Sequence, residues 1–258
     1  MVKPNPLLRA LIVRKAWLDV LPTTVIREHT AERIKDLEQE QHRKIGSREK
    51  RALSDQVMIQ LLPQAFIKSA FTYAYIDCRN HWLVIDTSSQ AKAENFVILL
   101  RESLPELQLE PIATHHSVSQ TMTNWLVDQQ MPAGLLIEDY CEMHDPRAVH
   151  TQIKCVNQDL YTSEVQAHLK TGKVVARLGL TWQDRLNFVM DHDFSVKRIK
   201  PLDLVQQQME EMDTETIEQR LMADFTMMAG EFSELLKTLL MAFGGAMNEQ
   251  TQREVATV

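Results

Sequence analysis

The stretch from Lys173 to Lys200 alternates apolar with polar residues, which is typical of β-strands with one buried face. In the first predicted strand, the face expected to be buried carries Val174, Ala176, Leu178, Leu180 and Trp182. The opposite face of that strand carries Val175, Arg177, Gly179 and Thr181. A turn at Gln183-Asp184 leads into RLNFVM, which alternates in the same way, and SVKRIK follows it. The pattern predicts a three-stranded meander with arginines on its more polar face.

A short helix is predicted immediately before this meander. Ser163 followed by Gln166 fits a capping box, in which side chains satisfy free amide groups of the first helical turn. Gly172 suits the left-handed residue that ends many helices. The helix should therefore run from about Glu164 to Thr171.

Residues 22–70 are predicted to form a helical hairpin. Pro22 opens a long, highly charged helical stretch, and Gly46-Ser47 interrupts it before a second helix. The apolar face of that second helix includes Leu53 and Val57. Because the first helix has few apolar positions, we expect a projecting and largely solvated hairpin with an exposed corner.

The rest of the chain combines strands and helices. Strand-like runs AFTYAYID and HWLVIDT precede a helix at AKAENFVILLRESL, and a strand at GLLIEDYCEM follows later. This order predicts an α+β fold of mixed sheet layers with the projecting hairpin and a C-terminal helical part. We expect an α+β core at 1–21 and 71–202, the helical part at 203–245 and a disordered tail at 246–258.

The composition is that of a globular protein, with 44% hydrophobic and 24% charged residues in a chain of 258. No apolar run reaches the roughly eighteen residues needed to cross a bilayer, and the start lacks the pattern of a secretory signal. Three widely spaced cysteines suit a reducing compartment, so we expect a cytoplasmic protein. There is no glycine-rich phosphate loop, and the sequence predicts no cofactor.

The charge is segregated along the chain. The total is -7, but the stretch from Asp203 to Glu234 carries nine acids and one arginine. The corner of the hairpin, His42 to Arg51, carries five Lys/Arg and one acid, and Thr151 to Pro201 carries eight Lys/Arg and five acids. Because salt screens distant charge over about 8 to 10 Å, an acidic total does not exclude DNA as a partner.

These basic clusters are the candidate contacts with a phosphate backbone. The alternative is that they are ordinary solubilising charges, which is the commoner role of a short basic run. The candidate DNA-binding side chains are Arg43, Lys44, Arg48, Lys50, Arg51, Lys197, Arg198 and Lys200.

Two kinds of metal chemistry compete with this interpretation. Asp77, Asp86 and Glu94 lie at predicted strand ends and an early helix, where a nuclease could hold Mg²⁺. Such carboxylates are also ordinary turn formers and helix-dipole partners. A zinc site is conceivable at Cys141, His144, His150 and Cys155, but the spacing is not that of a zinc finger or ribbon. We expect no metal.

A third possibility is an adaptor for other proteins. The acidic stretch from Asp203 to Glu234 could contact a basic partner or imitate DNA. This interpretation predicts no DNA binding even at low salt.

Several blocks, in the same order, resemble the RdgC family of recombination-associated proteins of proteobacteria. They extend from about Leu11 to Gly245 and are LPTTVIREHTAERI, EQEQHRKIGSREK, LLPQAFIKSAFTYAYID, SQAKAENFVILLRESL, TNWL, NQDLYTSEV, GKVVARLGLTWQDRLNFVMDHDFSVKRIK and ADFTMMAGE. Family members carry a further segment ahead of the match to LIVRKAWLDVL, so by the resemblance this chain is either a member shortened at the N-terminus or one whose start is wrongly placed. If that segment supplies sheet or dimer contacts, its absence puts ring closure in question.

The resemblance implies a non-enzymatic, nucleoid-associated homodimer that closes as a ring around duplex DNA and restrains RecA-dependent strand exchange. Its DNA binding would be independent of sequence. By the same resemblance, Phe66 would belong to a dimer contact at the tip of the hairpin arm, and Gln158 would lie near DNA. The alternatives for these two residues are a core aromatic and a turn amide.

Overall fold

The computed structural model describes residues 8–148, 151–212 and 216–247, and of residues 8–20 and 66–70 it gives the backbone alone. The chain forms two compact units. We call Arg9–Asp77 with Trp82–Leu99 the hairpin unit, and Met1–Leu8, Cys78–His81 and Leu100–Val258 the sheet unit. The tail predicted at 246–258 lies almost entirely outside the described residues.

The hairpin unit combines helices with a three-stranded sheet. Its elements, two of which extend slightly past the unit boundary, are β1 (Leu8–Val20), α1 (Thr23–Gln41), α2 (Ser47–Leu61), a 3-10 turn (Leu62–Gln64), β2 (Phe66–Asp77), β3 (Trp82–Asp86) and α3 (Gln90–Ser103). The strand order is β1-β2-β3, and β2 pairs with β3 antiparallel. The predicted strands and helices of this part of the chain are confirmed.

Helices α1 and α2 pack against each other. Helix α1 ends where His42 adopts a left-handed φ of 47°, and the next helix begins after the extended Gly46. Leu53, Val57 and the corner residue Ile45 are buried, and the amide of Ile45 donates to the Glu38 carboxylate at 3.0 Å. The corner is therefore fixed by one apolar anchor and one hydrogen bond.

The sheet unit is built on five antiparallel strands. Its elements are α4 (Val118–Asp128), β4 (Leu135–His144), β5 (Gln152–Val156), α5 (Ser163–Lys170), β6 (Val174–Trp182), β7 (Leu186–Asp191), β8 (Val196–Pro201), α6 (Asp203–Glu210) and α7 (Ile217–Ala242). The strand order is β5-β4-β6-β7-β8. Helix α5 and the meander β6-β7-β8 are confirmed, since each can be recognised from local periodicity. The capping box predicted at Ser163 is wrong: the N-cap residue is Thr162, which makes no side-chain capping hydrogen bond, and Gln166 Nε2 donates to the Leu126 carbonyl at 2.9 Å.

One face of the five-stranded sheet is covered by helices. Leu178 pairs with Met190 and Leu180 with Phe188 across β6 and β7, and all four side chains are fully buried. They belong to one apolar cluster with residues from α4, α5 and α7, among them Trp125, Leu169 and Leu239. Burying a side chain of this size contributes about 1.5–3 kcal/mol, so this core face is the main source of the unit's stability.

Two expectations about the sheets are wrong. Every described strand pair is antiparallel, so the described sheets are not mixed; four of the five pairs join strands that are consecutive in the chain, and β4 pairs with β6 across β5 and α5 in sequence. The strict alternation along β6 also fails at its start. Glu142 pairs with Arg177 and Met143 with Val175, which leaves Ala176 as the extra residue of a β-bulge. The bulge shifts the phase of the strand, and Val175 is fully buried.

The last part of the chain is helical, as expected. Helix α7 begins after Thr216, whose hydroxyl accepts a hydrogen bond from the Gln219 amide at 3.2 Å, and it ends before Gly244, where φ is +85°. Within the described ranges, no helix combines the length and the apolar character that crossing a membrane requires.

Candidate nucleic-acid interface

The corner between α1 and α2 carries the first group of candidate contacts. We call its basic side chains the hairpin surface, which consists of Arg43, Lys44, Arg48, Lys50 and Arg51. All five are exposed, because the connection between α1 and α2 and the first turns of α2 present them to solvent while Ile45 is buried. An exposed corner of this kind brings several cations within reach of one phosphate backbone.

Only one of these five cations has a carboxylate partner among the described residues. The Arg43 guanidinium donates two hydrogen bonds to the Glu49 carboxylate, at 2.9 and 2.7 Å. This hydrogen-bonded pair raises the pKa of Arg43 and lowers the pKa of Glu49. The other four cations of the hairpin surface form no ion pair with any described residue, so their donor groups are available to an external anion.

The second group lies on the face of the five-stranded sheet that the helices leave open. We call these basic side chains the sheet surface, which consists of Lys154, Arg177, Lys197, Arg198 and Lys200. The strand register brings them together, because residues paired across strands share a face: Glu142 pairs with both Lys154 and Arg177, Arg177 with Asp191, and Asn187 with Lys200.

Two buried carboxylates hold part of the sheet surface. Asp191, whose side chain is 2% exposed, accepts hydrogen bonds from Arg177 Nε at 2.8 Å and Lys197 Nζ at 2.6 Å, and its other oxygen lies 2.6 Å from His192 Nδ1. Burial alone would raise the pKa of Asp191, but the hydrogen bonds from Lys197, Arg177 and His192 together hold it well below the usual value. The carboxylate is therefore ionised at neutral pH.

Glu142 completes this network. It accepts hydrogen bonds from the Tyr140 hydroxyl at 2.5 Å and from Arg177 at 2.9 Å, and Lys154 Nζ lies 3.4 Å away. Burial opposes ionisation of Glu142, yet the Tyr140 hydrogen bond and the charges of Arg177 and Lys154 lower its pKa. Arg177 thus bridges two buried acids. Its charge is compensated by these carboxylates and is less available to an external ligand.

Arg198 and Lys200 differ from Lys197. Both are exposed, and neither forms an ion pair within the described part of the chain. Arg198 has a left-handed φ of 54° at a second β-bulge, and its guanidinium lies 4.7 Å from the centre of the Tyr140 ring. Of the three predicted DNA contacts on β8, Arg198 and Lys200 are exposed to solvent. Lys197 instead donates a hydrogen bond to the buried Asp191 carboxylate.

The two residues suggested by resemblance are in different situations. Gln158 follows β5 and is partly buried. Its backbone N–H donates a hydrogen bond to the Asp139 carbonyl at 3.4 Å, as expected of a turn. Phe66 is the first residue of β2, but its side chain lies outside the described residues. Both roles stay predictions.

The carboxylates of the nuclease alternative do not come together at one site. Asp77 pairs with Trp82 beside the β2–β3 turn, whereas Asp86 pairs with Tyr73 at the far end of β3. Four residues of strand separate the two carboxylates by about 13 Å, which is too far for one metal ion. Among the described residues, no cluster of three or more His, Cys, Asp or Glu is placed to hold a metal.

The zinc candidates include a pair that the sequence alone did not reveal. Cys141 lies directly opposite Cys155 in the β4–β5 ladder, and both are buried free thiols. Burial raises the pKa of each thiol, so both are protonated in the folded chain. His150 lies outside the described residues.

The acidic stretch is partly neutralised by intramolecular partners. Arg185 Nε donates to Glu231 at 2.6 Å, and Lys237 donates to Glu234 at 2.7 Å. Residues 213–215 of this stretch lie outside the described residues.

Sequence reasoning missed two features of these surfaces. It counted Arg177 as a wetter-face cation without its buried partners Glu142 and Asp191, which only the strand register brings together. It also passed over an exposed pair of aromatic side chains on β2, Phe71 and Tyr73. The period-two spacing within AFTYAYID was the available signal for that pair.

Comparisons with known proteins give a consistent result. A family model described as "Putative exonuclease, RdgC" matches residues 9–246. A protein of Psychromonas ingrahamii named "Recombination-associated protein RdgC" is 37% identical over 235 residues, which cover 91% of this chain and 78% of that protein. Proteins of the same name from Yersinia pestis and Yersinia pseudotuberculosis are 37% identical over 226 residues, or 88% of this chain and 75% of theirs.

Proposed function

The chain belongs to the RdgC family of recombination-associated proteins, and from that premise we propose that it binds DNA without sequence preference, as a non-enzymatic modulator of homologous recombination. The observation that carries this proposal is the hairpin surface, where Lys44, Arg48, Lys50 and Arg51 are exposed and have no ion-pair partner among the described residues. Cations concentrated at such an exposed corner are suited to a polyanion.

The proposed mechanism is electrostatic. Each Lys or Arg that meets a phosphate displaces condensed counterions, so the logarithm of affinity falls by about 0.9 per contact for each tenfold rise in salt. Four contacts from the hairpin surface would give a slope of about -3.6. Contacts of this kind position a protein on DNA but read no bases, which accounts for binding independent of sequence.

The biological role follows the same premise. We propose a homodimer that associates with the nucleoid in the cytoplasm, encircles or occupies duplex DNA as a ring, and thereby restrains RecA-dependent strand exchange. Phe66 is the proposed dimer contact, and Gln158 a proposed residue near DNA. A ring adds topological retention without new contacts, so no catalytic step is required.

Exonuclease activity is a second candidate because the description of the matching family model names it. The separation of Asp77 from Asp86 along the β2–β3 ladder argues against the carboxylate set that the sequence suggested. The same binding experiment distinguishes the two candidates.

The decisive experiment is fluorescence anisotropy of a labelled random-sequence duplex at low and moderate salt, with a gel of the same samples after incubation with Mg²⁺. We expect binding that weakens steeply with salt and DNA that stays intact. Absence of binding at low salt would overturn the proposal and favour a protein-interaction adaptor. Shortened DNA would instead establish nuclease activity.

A further inference from the structure

Tyr140 on β4 lies between two cations that come from opposite edge strands of the five-stranded sheet. The guanidinium carbon of Arg198 on β8 lies 4.7 Å from the centre of the Tyr140 ring, and Lys154 Nζ on β5 lies 5.5 Å from it. A cation within about 6 Å of a ring centre is attracted by the electrons of the ring. We propose, on the basis of the DNA binding proposed above, that Tyr140 is a positioning residue that holds the Arg198 guanidinium ready for a phosphate group.

The Tyr140 side chain has a fixed position on the sheet. Tyr140 is 8% exposed, and its hydroxyl donates to the buried Glu142 carboxylate at 2.5 Å. Burial and the Glu142 carboxylate raise the pKa of Tyr140, so the hydroxyl stays protonated at neutral pH and keeps this hydrogen bond. Gly179 on β6 leaves room for the side chain, since a Cβ there would lie 3.1 Å from Tyr140 Cβ. The ring is therefore an ordered support for a neighbouring cation.

Arg198 reaches this ring from a β-bulge in β8. The pairing of β7 with β8 shifts between Asn187 and Val189, and Arg198, within the shifted stretch, has a φ of 54°. Three strand spacings of about 4.8 Å separate β8 from β4, so the Arg198 side chain extends inward across the open face of the sheet. An arginine that is already ordered loses less side-chain freedom when it binds a phosphate.

The two cations beside the ring differ in their availability to a ligand. Lys154 Nζ also lies 3.4 Å from the Glu142 carboxylate, which compensates its charge. Arg198 is exposed and forms no ion pair with any described residue. Contact with an aromatic ring neutralises no charge, so the guanidinium can still bind a phosphate through two N–H groups. Tyr140 thus orders Arg198 without compensating its charge, as a carboxylate would.

A double-mutant cycle with duplex DNA tests the positioning role. Tyr140→Leu should lower the affinity of the full chain for a labelled random-sequence duplex about two- to fivefold at moderate salt, measured by anisotropy. In an Arg198→Gln background the same substitution should cause no further loss, because the cation that the ring orders is absent. Losses that multiply in the double variant would overturn the proposal.

Tyr140→Phe separates positioning from stability. This substitution keeps the ring beside Arg198 and removes the hydrogen bond to Glu142. We expect duplex affinity equal to that of the unsubstituted chain, together with a lower unfolding midpoint in urea. A loss of affinity as large as that of Tyr140→Leu would show that the hydroxyl is required, which contradicts positioning by the ring.

Tyr161→Leu is the matched control, because Tyr161 is an exposed tyrosine of the same unit that lies outside the strands. It should leave duplex affinity unchanged. If Arg198→Gln alone has no effect while the unsubstituted chain binds the duplex, the positioning role is overturned and the proposed function stands. If the unsubstituted chain binds no duplex at low salt, the proposed function fails, and the positioning role fails with it.

Nuclear magnetic resonance detects the contact without DNA and without a substitution at Tyr140. The Arg198 side-chain signal can be assigned as the arginine signal that Arg198→Gln removes. It should lie upfield of its ordinary position, because protons above the face of a ring are shielded. A signal at its ordinary position would contradict the contact, even if Tyr140→Leu failed to fold.

Discussion

The hairpin surface and the sheet surface have similar numbers of basic side chains but use them differently. On the sheet, Arg177 and Lys197 lie against the buried carboxylates of Glu142 and Asp191. At the hairpin corner, Arg43 alone has a carboxylate partner among the described residues, and that pair is exposed. A count of cations therefore overstates the sheet as a ligand surface, because a cation already paired in the fold adds little to the external field.

The largest expected effect comes from removing the four hairpin charges other than Arg43. Lys44→Gln/Arg48→Gln/Lys50→Gln/Arg51→Gln should reduce duplex affinity by about 100-fold or more at moderate salt and bring the salt slope about 3.6 closer to zero. The measurement is anisotropy over a salt series. Stability should hardly change, because these side chains are exposed.

A control with the same charge change comes from the same unit. Arg27, Arg33, Lys35 and Lys92 are four exposed cations outside the corner. Their joint replacement by Gln should leave the salt slope almost unaltered. If both quadruple variants lose affinity equally, net charge and not the hairpin surface governs binding, and the contrast between the two surfaces fails.

The next largest expected effect is a loss of stability in the sheet unit. Asp191→Ala leaves Arg177 and Lys197 without their shared buried partner. We expect a loss of about 2–3 kcal/mol in the free energy of unfolding, less than for a fully buried pair because Arg177 is 38% exposed. Urea denaturation measures this change.

Glu49→Ala at the hairpin corner is the matching control, and its unfolding midpoint should stay near that of the unsubstituted chain. A comparable loss of stability in both variants would mean that the exposed Arg43–Glu49 pair is as structural as the sheet network.

The pairing between strands determines which parts of the fold and of the candidate site could be predicted from the sequence alone. Local periodicity and turn chemistry identified α5, the meander and the hairpin, because each depends on residues a few positions apart. The partners of Arg177 lie 35 and 14 residues away, at Glu142 and Asp191, and depend on the strand order and register. The bulge at Ala176 is likewise set by the pairing of β6 with β4.

The candidate DNA contacts differ in the same way: some depend on a local sequence pattern, and others on the pairing between strands. The exposure of Lys44 and Arg48 follows from a charged corner with little apolar character, which a local pattern reveals. The different environments of Lys197 and Arg198, which are adjacent in sequence, result from a bulge that aims one toward Asp191 and the other toward Tyr140. No local pattern distinguishes two neighbouring cations.

The pH dependence of stability should reveal the sheet network. Because the pKa of Asp191 lies below its ordinary value of 3.8 in the folded chain, its ionised form stabilises the fold above that value. This contribution should be lost as the pH falls through about 4 towards the lower folded pKa, at about 1.4 kcal/mol per unit of depression.

The variant Asp191→Asn lacks that titration, so its unfolding free energy should decline less steeply than that of the unsubstituted chain below about pH 4. Chemical denaturation at a series of pH values provides the comparison. If the unfolding free energies of the two proteins fall in parallel below about pH 4, carboxylates other than Asp191 control the loss of stability in acid.

A smaller effect separates Lys197 from Arg198. Arg198→Gln should bring the salt slope for duplex binding about 0.9 closer to zero if the exposed guanidinium meets one phosphate. Lys197→Gln should leave the slope unchanged and lower the unfolding midpoint in urea, because it removes a hydrogen bond to Asp191. The reverse outcome would show that Lys197 leaves its carboxylate on binding.

The smallest effect sharpens the comparison at the hairpin corner itself. Glu49→Gln removes the negative partner of Arg43, whose pKa that partner raises. The change should release Arg43 as a fifth cation for phosphate and strengthen duplex binding by a few-fold at moderate salt, with a salt slope about 0.9 more negative. Arg43→Gln/Glu49→Gln, which restores the net charge of the corner, should return affinity to that of the unsubstituted chain. If Glu49→Gln instead weakens duplex binding, the Glu49 carboxylate orients Arg43 for a phosphate. The exposed pair would then position a cation at the hairpin corner, as Glu142 and Asp191 position Arg177 on the sheet.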